Sequence, residues 1–314
     1  MQIRLLGTAA GGGLPQWNCN CPNCREARLG SGFVRPRTQS SVAVSADGQR
    51  WFLLNASPDI ARQIAAFPPL QPAAFHPRGT PIEAVLLTNA DLDHTLGLLL
   101  LREGPALHIY ASEATDAALT LGAPLLPILD SFCSTKLFHA SFQETPLHHR
   151  DGTPSALSYQ AFAVPAKTPR FAKTRDPQNV GPASRRPAPG AIAYKIHDSQ
   201  TGGSLIYAPE VLEINDAMLS LAKDCNLLLF DGTFWSDDEM TTLGINRVTA
   251  RQMGHVPIHG KGGSLAAFAG VTGPKKVYVH INNTNPILRE DSSERREATA
   301  AGWQIGEDGM EFII

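Results

Sequence analysis

The chain has 314 residues, of which 43% are hydrophobic, and this is enough to build a substantial core in one large domain or two. Its formal net charge of -2 excludes a global basic field of the kind that attracts nucleic acid. No apolar run approaches the roughly 20 residues of a membrane span, and the N-terminus becomes Gly-rich too early for the apolar core of a signal peptide. We therefore expect a cytoplasmic protein with no membrane span and no nucleic-acid partner.

Strands and helices are predicted to alternate along the chain. Short apolar runs bounded by turn residues predict strands at residues 3–6, 42–45, 51–54, 82–88, 107–111, 157–163, 191–197, 204–207, 227–231 and 276–280. Helices are predicted near residues 58–66, 96–101, 113–121, 213–222 and 264–269. The sequence Ala-Asp-Gly at 46–48 is a hairpin candidate between two of these strands. Two sheets enclosed by helices agree with this order better than a single doubly wound sheet does.

A tight cysteine cluster follows the first predicted strand. Its members are Cys19, Cys21 and Cys24. Thiolates at this spacing suit a tetrahedral zinc ion in a reducing compartment, and Pro22 and Asn23 favour the turn that brings the sulfur atoms together. The alternative is three free surface thiols, which would be vulnerable to oxidation. We predict a structural zinc site here, whereas the isolated Cys133 and Cys225 are expected to be buried apolar residues.

Two carboxylates and an imidazole lie just beyond the predicted strand 82–88. They are Asp91, Asp93 and His94. Ligand sites of α/β proteins lie at such carboxyl edges, and these side chains can hold a divalent metal. The alternative is a helix N-terminus capped by one of the two Asp residues. His280, at the end of the last predicted strand, is a further candidate ligand, although a His at a strand end is more often structural.

Residues 164–190 form a long irregular stretch rich in Pro and Gly. Its basic residues outnumber its single acid, Asp176, and they are Lys167, Arg170, Lys173, Arg175, Arg185 and Arg186. Loops of this length are usually lids, binding loops or solvated segments. We expect either a solvated loop or a cationic flap that guides an acidic substrate towards the metal, with Lys167 and Arg170 as substrate-binding residues.

The residues after the predicted strand 82–88 resemble the metal signature of the metallo-β-lactamase superfamily, His-x-His-x-Asp-His-x-x-Gly. Asp93, His94 and Gly97 match this signature, whereas Asn89 and Asp91 replace its first two His residues. The resemblance implies a fold of the α/β (α+β) class, a four-layer αββα sandwich. The single domain would comprise residues 1–314, with a zinc-binding insertion near 18–25 and the long basic loop at 164–190.

Phosphodiesterases of this superfamily carry a similar Cys-x-Cys-x-x-Cys insertion. Their fourth zinc ligand is a His three residues after the last active-site His. The matching residue here is Asn283, which is a poor zinc ligand, so the resemblance leaves the fourth ligand open. A Gly-His pair supplies a proton donor in those enzymes, which makes His255 the candidate catalytic residue. Asp231 is expected either to support His255 or a ligand, or to be a plain turn residue, and His259 to be a cap or surface residue.

Two-zinc hydrolases of the superfamily also use a bridging Asp and a His from the middle of the chain. Here Pro209 stands where the bridging Asp is expected, and no His occurs near 165–167. Together with Asn89, these departures imply that one metal position is dismantled. The other position survives as Asp93, His94 and His280, with Asp91 as an additional or alternative ligand. Two His and one carboxylate are the ligand type of non-heme Fe(II) oxygenases, which implies an active-site Fe²⁺ that other divalent metals can replace.

Four segments together resemble the pyrroloquinoline quinone (PQQ) biosynthesis protein B family, and the similarity runs from end to end. They are residues 7–13, 15–21, 88–94 and 280–286. The resemblance implies an enzyme that hydroxylates the tyrosine ring of a cross-linked Glu-Tyr precursor of PQQ with iron and O₂. Other PQQ-pathway proteins are possible partners. The alternatives are a carrier of PQQ or its precursor to the periplasm, and a residual metal-dependent hydrolase.

Overall fold

The computed structural model describes residues 1–74, 77–174 and 190–314, which form two seven-stranded sheets and the helices around them. Across the first sheet the strands are β14 (Glu311–Ile313), β1 (Gln2–Gly7), β2 (Ser41–Ser45), β3 (Trp51–Leu54), β4 (Ile82–Leu86), β5 (Leu107–Ala111) and β6 (Thr135–His139). Across the second they are β13 (Trp303–Ile305), β12 (Lys275–Val279), β11 (Leu227–Asp231), β10 (Ser204–Ala208), β9 (Ala191–Asp198), β8 (Pro154–Val164) and β7 (Thr145–His148).

The helices are all short. They are α1 (Pro22–Leu29), α2 (Ile60–Ala65), α3 (Leu92–Thr95), α4 (Gly97–Leu100), α5 (Glu113–Ala117), α6 (Leu125–Asp130), α7 (Asp216–Lys223), α8 (Glu239–Thr242), α9 (Ala250–Met253), α10 (Ser264–Ala267) and α11 (Ser293–Ala300). Segments of 3₁₀-helix occur at Pro68–Leu70, Arg170–Thr174 and Pro286–Leu288, and a π-helical turn at Ala118–Gly122. No helix within the described ranges has the length and apolar surface that a bilayer crossing requires.

The central strands are buried on both faces because each sheet packs against the other sheet and against helices. In β3, Phe52 belongs to the core between the sheets, whereas its neighbour Leu53 belongs to the core beneath the outer helices. In β11, Leu229 and Phe230 divide in the same way, and Met218 of α7 covers the outer face. Strands of this kind have continuous rather than alternating apolar sequences. The predicted αββα sandwich is therefore confirmed.

Most predicted elements overlap observed ones. The hairpin prediction is confirmed, because β2 and β3 pair antiparallel with Val42 opposite Leu54. The predicted helix at 96–101 corresponds to α4, and the separate short helix α3, which precedes it at Leu92–Thr95, was not predicted. The sequence did not predict the strands β6, β7, β13 and β14 or the helices α1, α6, α8, α9 and α11.

Candidate metal centre

Segments that follow strands of both sheets carry the candidate ligands to one edge of the sandwich. Asp93 and His94 lie in α3, soon after β4, and His280 directly follows β12. Gly97 begins α4, where a Cβ atom would lie 2.2 Å from the backbone oxygen of Ser57, so only Gly permits this packing. His280 has a left-handed φ of 55°. Such a conformation is uncommon for a residue other than Gly and is found preferentially at functional sites.

Asp93, His94 and His280 form what we call the three-donor group. Their donor atoms all lie within 4.8 Å of one another. Asp93 Oδ2 is 3.1 Å from His280 Nε2 and 3.8 Å from His94 Nε2. The Nε2 atom of His94 is buried and has no hydrogen-bond partner among the described residues, an arrangement that is costly unless a further group binds there. The donor set and this unpaired nitrogen fit a divalent metal ion.

The protonation states of the three-donor group also suit a metal. Burial lowers the pKa of His94 to about 4, so its imidazole is neutral at pH 7. Burial alone would raise the pKa of Asp93, but the adjacent His94 and His280 outweigh it and hold this pKa below its usual range. Burial alone would lower the pKa of His280, but its hydrogen bond with Asp93 and the nearby carboxylates raise it. A metal bound here would compete with a proton for His280.

Asn89 and Asp91, the two departures from the signature motif, lie beside the three-donor group. The Asn89 side chain donates from Nδ2 to Asp91 Oδ2 at 3.0 Å and also to Glu210 Oε2. Its Oδ1 atom is 2.6 Å from His94 Nδ1. Asp91 is therefore placed against Asn89 and Glu210, outside the set of converging donors. Its role as an additional or alternative metal ligand stays a prediction.

Glu210 is a site residue to which the sequence reasoning assigned no role. It is buried, and both burial and the charge of Asp91 raise its pKa well above the ordinary value. Burial and the charge of Asp93 also raise the pKa of Asp91. The sequence feature that could have identified Glu210 is its position immediately after Pro209, near the end of β10, where the hydrolases carry their bridging Asp. A carboxyl group is thus present one residue after the expected place of the bridging Asp.

His255 packs against the three-donor group from the second sheet. Its Nδ1 atom is 2.8 Å from Asp231 Oδ2, and its ring stacks on that of His280 with the centroids 5.4 Å apart. Thr233 Oγ1 donates to Asp231 Oδ1 at 2.7 Å and lies 2.9 Å from His280 Nδ1. Of the alternatives for Asp231, support of His255 is the one present. Because Asp231 and Thr233 are buried, they fix the orientation of both imidazole rings.

The three cysteines converge as predicted. Cys21 caps the N-terminus of α1, and its sulfur accepts a hydrogen bond from the backbone N–H of Cys24. Asn283 comes from the loop after β12, and its Nδ2 atom lies 3.1, 3.5 and 3.2 Å from the sulfur atoms of Cys19, Cys21 and Cys24. The side-chain amide of Asn283 thus faces the three sulfur atoms through Nδ2, a hydrogen-bond donor that is not a zinc ligand, so the fourth ligand stays open. The three converging thiols fit three positions of a tetrahedral zinc site.

A cavity of about 350 Å³ lies beside Asp91 and Glu210, the two acidic neighbours of Asn89. Lys167 and Arg170 also line it. Lys167 is exposed, and its ammonium group donates to the backbone oxygen of Gln252 at 2.9 Å. Of the other basic residues of the predicted flap, Arg175, Arg185 and Arg186 lie outside the described residues, as does the side chain of Lys173.

Three further sequence predictions are confirmed by burial. Cys133 and Cys225 are buried free thiols in apolar surroundings. His259 is exposed, and its ring stacks on Trp235 and pairs with Glu297 at 2.9 Å. His259 therefore belongs to the surface and not to the metal centre.

A β-lactamase superfamily domain matches residues 50–281. The fold is thus that of a metallo-β-lactamase superfamily protein. Over its whole length, the chain is 46% identical to coenzyme PQQ synthesis protein B of Pseudomonas aeruginosa strain UCBPP-PA14 and 42% identical to that of Methylobacillus flagellatus, and it covers 100% of each relative. The crystal structure of Zn²⁺-bound PqqB from Methylobacterium extorquens superposes with a TM-score of 0.86 at 38% identity, covering 100% of both chains. The chain belongs to the coenzyme PQQ synthesis protein B family, which confirms the resemblance seen in its motifs. A diphosphatase of the PhnP family, at 18% identity and a TM-score of 0.68, shares the fold.

Proposed function

We propose that this chain acts in PQQ synthesis as a non-heme iron oxygenase, which hydroxylates the tyrosine ring of a cross-linked Glu-Tyr precursor. The observation that carries the proposal is the three-donor group, in which Asp93 joins two His residues around one point. This donor set is the one that non-heme Fe(II) oxygenases use. Family membership supports the pathway, and the zinc in the Methylobacterium relative supports metal binding.

The departures from the hydrolase pattern support the same reaction class. Two-metal hydrolases need ligands on both sides of a bridging group. In this chain, Asn89 binds Asp91 and Glu210 through hydrogen bonds at the place where another metal ligand would be expected. One metal with open positions suits a reaction between O₂ and a bound substrate better than it suits hydrolysis by two metals.

The two electrons that the reaction requires can come from a small-molecule reductant. A ring C–H bond is replaced by a C–O bond, one atom of O₂ enters the ring, and the other leaves as water. Two electrons and two protons are required for each hydroxylation, and a small-molecule reductant of the ascorbate or thiol class supplies the electrons. Bound Fe(II) would supply the one-electron chemistry that allows O₂ to react with the ring.

The chain's own residues bind and orient the precursor. Lys167 and Arg170 meet its carboxylates and Asp91 meets an amino group, so that both charges of an amino acid have a partner in the cavity. His255 is held by Asp231 and stacked on His280, and it moves protons to or from the phenolic oxygen. This arrangement favours a zwitterionic aromatic substrate.

Single-turnover oxidation tests the proposal. The protein is loaded anaerobically with Fe(II), mixed with a cross-linked Glu-Tyr diamino acid and ascorbate, and then exposed to O₂, and the product mass is measured. We expect a gain of oxygen that requires iron and is abolished in His280→Ala. His259→Ala is the matched control, because it removes an exposed His outside the site. Cleavage without O₂ would instead establish a hydrolase, and tight binding without any change in mass would establish a carrier.

A further inference from the structure

We propose that Asn89 is a positioning residue that holds His94 in the tautomer able to bind metal, and that Glu210 anchors Asn89. The inference rests on the assignment of the three-donor group as the metal site, which belongs to the proposed function. Asn89 stands where the superfamily signature has a metal-binding His. In this proposal Asn89 does not bind the metal as the signature His does, but orients His94, which does.

The orientation of the Asn89 amide follows from its acidic neighbours. A carboxylate oxygen accepts hydrogen bonds, and the amide nitrogen of Asn is its only side-chain donor. Asn89 Nδ2 lies 3.0 Å from Asp91 Oδ2 and also contacts Glu210 Oε2. In the structure the amide nitrogen of Asn89 thus faces the two carboxyl groups, and Asn89 Oδ1 faces away from them, towards His94.

The orientation of Asn89 in turn determines the tautomer of His94. An amide oxygen can only accept, so the 2.6 Å contact between Asn89 Oδ1 and His94 Nδ1 requires a proton on Nδ1. Neutral imidazole carries one proton, which leaves a free lone pair on Nε2. This is the buried nitrogen that has no hydrogen-bond partner in the described part of the chain and lies 3.8 Å from Asp93 Oδ2.

Water does not replace the hydrogen bonds that join Glu210, Asn89 and His94, because all three residues are buried. The exposed fractions are 2% for Asn89, 5% for Glu210 and 0% for His94. Among the described residues, Thr88 is the one other hydrogen-bond contact of His94 Nδ1, but its Oγ1 atom is farther away, at 3.4 Å, and is already hydrogen-bonded with Asn55. Asn89 is therefore the group that selects the tautomer. Partners of this kind typically contribute 10–100-fold to metal affinity.

Two nearly isosteric variants of Asn89 separate positioning from packing. Asn89→Asp keeps an acceptor for His94 Nδ1, whereas Asn89→Leu removes it. ¹H–¹⁵N NMR of the metal-free protein reports which ring nitrogen carries the proton, and loss of the signal in His94→Gln assigns it. Titration with Co(II) under nitrogen reports the affinity of the site through its visible spectrum. Neither measurement depends on O₂ or on substrate turnover.

We expect the Nδ1–H tautomer in the wild type and in Asn89→Asp. In Asn89→Leu we expect a tautomer mixture and Co(II) affinity lower by about tenfold or more. Glu210→Ala should give a smaller loss, since Asp91 still orients the amide. An Nε2–H tautomer in the wild type would overturn the proposal, as would equal losses of affinity in Asn89→Leu and Asn89→Asp without a tautomer change. Failure to hydroxylate with a correct tautomer would instead overturn only the proposed function.

Discussion

The buried carboxyl group of Glu239 is expected to make the stability of the fold depend on pH. It accepts hydrogen bonds from the backbone N–H of Trp235 at 2.7 Å and from the hydroxyl of Thr284, and burial raises its pKa to about 7 from 4.5. A raised carboxyl pKa means that the folded state holds the proton more tightly than the unfolded state. The free energy of unfolding therefore falls as the pH rises from about 4.5 through about 7. At about 1.4 kcal/mol for each pH unit of pKa difference, the effect approaches roughly 3 kcal/mol.

Glu239→Gln removes the titrating group and keeps a polar side chain of the same size. Relative to the wild type, we expect the variant to be more stable at pH 8 than at pH 5, by up to about 3 kcal/mol. Urea unfolding of both proteins in zinc-containing buffer at each pH measures this difference, and other titrating groups cancel in the comparison. A difference between the two proteins that is the same at pH 5 and at pH 8 would refute the reasoning.

Three further predictions concern the metal sites and the packing that supports them. Asp93→Ala or His280→Ala should remove the metal of the three-donor group and leave the cysteine zinc. Metal analysis of the purified variants measures this, and loss of both metals or of neither would contradict the assignment of two separate sites. Cys21→Ser should release that zinc and lower the melting temperature, which calorimetry measures. The yield of hydroxylated product in single-turnover oxidation should change little. Gly97→Ala should lower the free energy of unfolding by about 2 kcal/mol or more, because its Cβ would lie 2.2 Å from the backbone oxygen of Ser57. Wild-type stability in Gly97→Ala would show that α4 can shift at little cost.

Elements with strong local signals were predictable, and those without were missed. The continuous apolar runs of β3, β4 and β11 are buried on both faces, and each was predicted as a strand. By contrast, β6 and β7 are largely exposed, and β13 and β14 have three residues each. Such strands carry little apolar pattern, and their pairing with neighbours creates them. The short helices were missed because they hold too few turns for a helical period to register.

The sequence by itself indicated most donors of both candidate metal sites, because each site draws most of its donors from a short stretch of chain. The spacing of the cysteines and the Asp93-His94 pair needed no tertiary information. The family resemblance pointed to Asn283 as the residue beside the cysteines. Only the folded structure showed that Glu210 contacts Asn89, which lies 121 residues earlier in the chain. Sequence spacing specifies which side chains a single turn can present, but contacts between separate strands depend on how both sheets pack. The donors were therefore predictable, and the hydrogen bonds that orient them were not.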